Sequence, residues 1–245
     1  MHDTLSRLRE GVLDTLYPPV CPMCGRRVME NNELTQSFTP YRICGLCYRA
    51  LPRTEHAYLR GNAVEQHFMT RIHFVRGGAY LRYEKGKPVR QMVHRMKFGA
   101  WPTIGPELAY YLGVQAALEW QPYDWFEGMT MLVPIPLHPK RERERGYNQS
   151  EYIARGISDV TGLPVRTDIL RRVRETNQQA MQRGEDREEN VKDAFALNDL
   201  LAIRHQHVLL VDDLVTTGAT VNAAIDALAA SHSCRYSVFA IGKAM

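Results

Sequence analysis

Apolar positions along the chain recur with two periods, and each period predicts a different element. Leu5, Leu8, Val12, Leu13 and Leu16 fall at helical spacing, and Tyr17-Pro18-Pro19 stops that helix. Residues 48–70 are polar with few apolar runs and read as a connector. A strand is predicted over residues 79–83, followed by a helix over 88–97 that turns Val89, Met92, Val93 and Met96 inward. Another helix, over 106–119, leads into a loop rich in Trp, Pro and Tyr. Beyond it the pattern alternates: a buried strand over 131–135, a helix over 151–159, a buried strand over 207–211 and a helix over 221–230. Short apolar runs alternating with helices predict an α/β fold built on a parallel sheet. Residues 175–193 are strongly polar without a strand pattern. They read as a long loop over the carboxyl ends of the strands, where ligands bind in open α/β sheets.

Composition narrows the class without naming the chemistry. The chain has 245 residues, 44% hydrophobic and 24% charged, which fits a packed globular protein and excludes extended disorder. No stretch approaches the roughly 18–20 uninterrupted apolar residues that cross a bilayer. Asp3, Arg7, Arg9, Glu10 and Asp14 interrupt any signal-peptide core, so a cytoplasmic location is expected. A net charge of +4 tolerates an anionic partner without requiring one. On the 88–97 helix one face is basic: Arg90, His94, Arg95 and Lys97, with Lys85 and Lys87 just before it. That face serves either as a solvated surface or as an anion contact.

The cysteines carry a sharper signal. Four of the five fall as Cys21-Pro-Met-Cys24 and Cys44-Gly-Leu-Cys47, two CxxC pairs at zinc-ribbon spacing. Gly25 and Gly45 suit the left-handed backbone of tight knuckles. Disulfides are disfavoured in a cytosolic chain, and a redox CxxC would explain one pair but not two. A fully protein-filled shell leaves no open position, so a structural zinc ion is expected. His56 and His67 are weaker ligand candidates, and Cys234 reads as a buried core residue.

The most informative run is Val208-Leu-Leu-Val211-Asp212-Asp213-Leu-Val-Thr216-Thr217-Gly218-Ala219-Thr220. Apolar residues feed two carboxylates and then a small, hydroxyl-rich turn at a helix start, where free backbone N–H groups favour a phosphate. Carboxylates beside a phosphate site make sense if the ligand carries hydroxyls next to its phosphate, as a ribose 5-phosphate does, or if magnesium sits nearby. Neither a Walker A loop nor a GxGxxG fingerprint is present, which argues against a motor ATPase or a dinucleotide dehydrogenase.

This run closely resembles the motif by which type I phosphoribosyltransferases bind 5-phosphoribosyl 1-pyrophosphate (PRPP) with magnesium. The stretch Leu132-Val-Pro-Ile-Pro-Leu-His138-Pro-Lys-Arg141-Glu-Arg-Glu-Arg145-Gly146-Tyr147-Asn148-Gln149, with the CxxC pairs and Lys97-Phe98-Gly99, is similar to the ComF/GntX branch of that family. The resemblance implies a zinc-binding segment over residues 1–70 and a phosphoribosyltransferase-like domain over 71–245. It makes Asp212 and Asp213 the catalytic pair on the ribose hydroxyls. It also gives the 5-phosphate to Thr216, Thr217, Gly218, Ala219 and Thr220, the pyrophosphate side of PRPP to Arg141 and Arg145, and a place among the PRPP-binding residues to Lys97. The alternating Arg and Glu at 141–145 also fit a self-paired solvated segment. The polar loop resembles the family's Thr-x-x-Gln stretch ending in Asn-x-x-x-Ala-Phe, here Thr176, Gln179, Asn190, Ala194 and Phe195, but Ala180 and Met181 replace its usual Thr-Gly. The branch is linked to DNA uptake in competent bacteria and to use of imported DNA. Single-stranded DNA and competence or DNA-processing proteins are therefore expected partners. An active magnesium-dependent phosphoribosyltransferase on an unidentified small acceptor is the alternative.

Overall fold

A computed structural model describes residues 20–28, 43–84, 88–98, 104–174 and 193–244. The helix expected near the N-terminus, Lys85, Lys87, Gly99 and nearly all of the 175–193 segment lie outside the described residues. The described elements run α1 (Gly45–Arg49), β1 (Phe74–Tyr83), α2 (Pro88–Phe98), α3 (Ile104–Trp120), β2 (Met131–Pro134), α4 (Pro139–Arg145) and α5 (Gln149–Thr161). They continue with β3 (Leu170–Arg172), β4 (Phe195–Leu197), β5 (His207–Val215), α6 (Ala219–Ala229) and β6 (Arg235–Ala244). The main sheet has the order β1-β6-β5-β2 and every pairing in it is parallel.

The sheet is buried on both faces, which is why its strands read as near-continuous apolar runs. Leu132, Leu209, Val211, Phe239 and Ile241 join one apolar cluster, while Met131, Val133, Val208, Leu210, Val238 and Ala240 join the other. Alternate residues of a strand point to opposite faces, so one run serves two cores. Met92 and Met96 of α2, Leu108 and Leu112 of α3 and Ile153 and Ile157 of α5 cover the first face. Val221, Ala224, Ile225 and Leu228 of α6 cover the second, with Leu170 and Phe195 of the antiparallel β3–β4 pair. α3 and α5 cross with their backbones nearly touching. A methyl group at Gly113 would lie 2.2 Å from the Ile153 carbonyl oxygen, and one at Gly156 would lie 2.2 Å from that of Tyr110.

The knuckle segment packs into the first core through Cys21, Met23, Ile43 and Leu51. It is also tied there by Glu119 of α3, whose carboxylate accepts from the Tyr48 hydroxyl at 2.7 Å, the Tyr80 hydroxyl at 2.7 Å and Arg53 Nε at 2.7 Å.

Several elements differ from the expectations. The strand expected at 79–83 begins at Phe74, because Arg76, Gly77 and Gly78 interrupt its apolar signal while the ladder continues. β5 runs on through both aspartates to Val215. β6 and the β3–β4 pair carried no separate prediction, and the Arg/Glu run at 139–145 forms a short helix. The polar connector is built rather than loose. Asn62 Oδ1 accepts from the Val64 and Glu65 amides while its Nδ2 donates to the Gly77 carbonyl, and Val64 and Phe68 enter the second core. Gly45 opens α1 and shows no left-handed backbone, whereas Gly25 does, at φ +73°.

Candidate functional site

Asp212 and Asp213 sit near the carboxyl end of β5, 8% and 4% exposed, on the strand itself rather than on a turn. Buried carboxylates need donors, and the first residues of α5 supply them. Gln149 Nε2 donates to Asp213 Oδ2 at 2.8 Å and Ser150 Oγ donates to Asp212 Oδ1 at 3.3 Å. The Asp213 amide also donates to Asp212 Oδ1 at 2.8 Å. Asn148 caps that helix, its Oδ1 accepting from the Ser150 amide, so the acids face a helix N-terminus whose dipole favours negative charge. Lys97 Nζ lies 2.9 Å from Asp213 Oδ2, and Arg145 hydrogen-bonds Gln149 Oε1. Burial, and secondarily the charge of Asp213, push the Asp212 carboxyl up to about 7, against the pull of Lys97.

The phosphate-type turn follows without interruption. Thr216 and Thr217 are exposed, Gly218 adopts φ +80°, and α6 starts at Ala219. The Ala219 amide reaches Thr217 Oγ1 at 3.4 Å, and the first amides of a helix have no partner within it. A side chain at Gly218 would stand 3.2 Å from the Phe68 ring, so the turn containing Glu65–His67 closes one flank. Lys243, at the end of β6, donates to the Thr216 carbonyl at 3.1 Å. Lys97, Arg145, Asp212 and Asp213 are thus brought together directly, with Thr216, Thr217, Gly218, Ala219 and Thr220 next in the chain. Arg141 lies close enough for its charge to act on Arg145. It also acts on Arg172 of β3, whose guanidinium is pushed down by burial first and by Arg141 next, with Asp212 opposing. Sequence reasoning singled out neither Gln149 and Ser150 as donors nor Arg172 and Lys243 as neighbours. The Asn148-Gln149-Ser150 run after Tyr147 was visible, but nothing in it announced its partners.

Cys21, Cys24, Cys44 and Cys47 form a second site. Their sulfurs all lie within 4.8 Å of one another, and Cys24 Sγ is 3.8 Å from Cys44 Sγ. A tetrahedral zinc with bonds of about 2.3 Å sets sulfurs about 3.8 Å apart, so the cluster fits that ion. All five cysteines are free thiols. A backbone N–H of Arg26 lowers the Cys24 thiol to about 7, while burial raises Cys21 and Cys47. His56 and His67 lie outside the cluster, and His56 Nδ1 accepts from the Ala79 amide at 3.1 Å. Cys234 is 3% exposed in the second core, as expected.

The basic face of α2 divides. Lys97 turns to Asp213 and Arg95 donates to the Cys21 carbonyl at 3.5 Å, while Arg90 and His94 are exposed. A continuous stripe through all of these side chains is therefore not what forms. Among the described residues, no helix is long and apolar enough to cross a membrane.

Comparison with known proteins agrees with this arrangement. The phosphoribosyl transferase domain family matches residues 148–239. Competence protein F of Haemophilus influenzae is 28% identical over 207 residues, covering 83% of this chain and 76% of that protein. DNA utilization protein YhgH of Salmonella typhimurium is 32% identical over 134 residues, 55% of this chain and 58% of its own length. YhgH of Escherichia coli K12 is 29% identical over the same shares. The chain thus spans just over half the length of the YhgH proteins it matches. With a parallel sheet, an Asp-Asp strand end and a glycine-containing turn, the chain is similar to these competence and DNA utilization proteins, and the phosphoribosyl transferase domain it matches falls on the strand and helices that carry the site.

Proposed function

We propose that this protein binds PRPP at the end of β5 and acts in the uptake and use of DNA. The observation that carries the reading is the continuity of Asp212 and Asp213 with the Thr216–Thr220 turn, with Lys97 and Arg145 gathered beside the acids. In this reading Asp212 and Asp213 accept the ribose 2′- and 3′-hydroxyls, which are donors that carboxylates suit. Thr216, Thr217, Gly218, Ala219 and Thr220 hold the 5-phosphate with backbone amides and hydroxyls. Lys97, Arg141 and Arg145 face the pyrophosphate. Oxygen donors of this kind fit magnesium, which when bound neutralises charge on the pyrophosphate. The cysteine quartet holds zinc as a structural ion that folds the knuckle against α3.

The DNA role rests on relatives named for competence and DNA utilization. Single-stranded DNA and DNA-processing proteins are the proposed partners, and the cytoplasm the proposed location. Transfer of the phosphoribosyl group to a small acceptor is the alternative. Its support is the gathering of Lys97, Arg141 and Arg145 near the acids, because such transfers depend on electrostatics and positioning. Calorimetry with PRPP and magnesium tests the binding reading: micromolar binding lost in Asp212→Asn/Asp213→Asn supports it, and equal affinity of the two proteins overturns it. Pyrophosphate release with candidate acceptors then separates a binding protein from a transferase.

A further inference from the structure

Lys243 is 7% exposed at the end of β6, and its ammonium donates only to backbone carbonyls: Thr216 O at 3.1 Å and Ala244 O at 2.7 Å. No carboxylate pairs with it among the described residues, although a buried cation ordinarily has an anionic partner. Burial depresses its pKa, and His67 and His56 are held low by their own burial first, with a smaller contribution from the Lys243 charge. The register sets it beside Val215, the residue just before the phosphate-type turn, so the charge lies directly behind that turn. His67, on the flank that the Glu65–His67 turn closes, has its Cβ 3.5 Å from the position a Gly218 side chain would take. Two features therefore converge on one small region: the amides that open an eleven-residue helix, and a buried cation with no counter-ion.

We infer that Lys243 is a specificity-determining residue of the sugar-phosphate site. Its ammonium pins the Thr216 carbonyl away from the anion pocket, and the 5-phosphate of the ligand is its missing counter-charge. This rests on the PRPP reading and adds a selective preference for phosphorylated ribose over free pyrophosphate. A carbonyl left free in that turn would repel a phosphate, whereas one held by an ammonium presents the adjoining amides to it. No sequence motif marks the residue, because it lies far along the chain in a strand that reads simply as core.

The test compares wild type with Lys243→Gln, which keeps a donor for the Thr216 carbonyl but loses the charge, and Lys243→Arg, which keeps the charge. Calorimetry with ribose 5-phosphate, with PRPP and magnesium, and with pyrophosphate reads the three affinities. The Gln variant should lose about tenfold for ribose 5-phosphate and PRPP and less than threefold for pyrophosphate, and the Arg variant should recover most of that loss. Equal losses for all three ligands would mean general damage, and unchanged ribose 5-phosphate affinity would mean an unused charge; either overturns the inference while leaving the PRPP reading intact. Failure of wild type to bind either sugar phosphate overturns both. Should the variants not fold, the Nζ resonance of Lys243 in ¹⁵N-lysine-labelled wild type decides: it must shift with ribose 5-phosphate, and a shift only with pyrophosphate, or none, overturns the inference.

Discussion

Lys97 Nζ and Asp213 Oδ2 lie 2.9 Å apart, with side-chain exposures of 24% and 6%, so the last turn of α2 is tied to the end of β5. The contact offsets one of two adjacent carboxylates and leaves the other, Asp212, to be held by Ser150 and a backbone amide. In the proposed PRPP site, a ligand hydroxyl that takes up Asp213 would therefore meet an ammonium already in place.

Removing that ammonium should cost both stability and binding. Lys97→Met leaves Asp213 buried without its cation, and a loss of about 1–3 kcal/mol in urea unfolding is expected, together with at least tenfold weaker PRPP binding. Unchanged values in both measurements would show that Gln149 alone satisfies Asp213.

Asp212 makes the opposite contribution to stability. Its carboxyl is raised to about 7 in the fold against about 3.9 in an unfolded chain, so the folded state holds the proton more tightly. Stability from this group is complete below about pH 4 and is lost as pH rises toward and through 7. Asp212→Asn should therefore stabilise the ligand-free protein at pH 8 by on the order of 1 kcal/mol or more, a rise of about 2–4 °C in Tm, while lowering PRPP affinity. A lower Tm for the variant at pH 8 would contradict the burial argument.

The knuckle should carry one zinc per chain. Metal analysis of protein purified without chelator should find about one equivalent, and Cys44→Ser should lose it along with part of the thermal stability. Uptake should weaken as pH falls below 7, because thiolates are the ligands and protons compete for them. A disulfide among Cys21, Cys24, Cys44 and Cys47 would be incompatible with this outcome.

The α3–α5 crossing is a size-sensitive backbone-to-backbone packing in the described fold. Gly113→Ala and Gly156→Ala each place a methyl group 2.2 Å from a carbonyl oxygen of the facing helix, and backbone yields less readily than a side chain. Each should cost about 1–3 kcal/mol in chemical denaturation and disturb the α5 residues Gln149 and Ser150 that hold the acids. A loss below half a kcal/mol would mean that the helices separate freely.

Single-stranded DNA binding, if it uses α2, should now rest on Arg90 with the neighbouring Lys87 rather than on the whole basic run. Fluorescence anisotropy should show affinity falling with salt at a log-log slope of roughly −0.7 per phosphate contact, and falling again in Lys87→Glu/Arg90→Glu. Arg95→Glu should act mainly through the Cys21 carbonyl contact and the stability of the knuckle. Equal affinity of the double charge reversal would remove this helix from the interface.

The sequence by itself determined the class of fold and marked the candidate chemistry. Two CxxC pairs mark four thiols as candidate metal ligands, and a candidate phosphate turn is local, since it needs only successive residues with the right backbone and hydroxyls. Apolar runs between helices likewise imply a parallel sheet, because a strand covered on both faces has no polar side to show. What only the tertiary structure decided are relationships between distant segments: that Asp212 and Asp213 end a buried strand, that Gln149 and Ser150 satisfy them, that Lys97 faces the acids while Arg95 faces the knuckle, and that Lys243 lies behind Thr216. The β3–β4 pair escaped prediction for a related reason. A three-residue strand exists through its ladder partner, and hydrogen bonds to a neighbour far away in sequence leave little trace in so few residues.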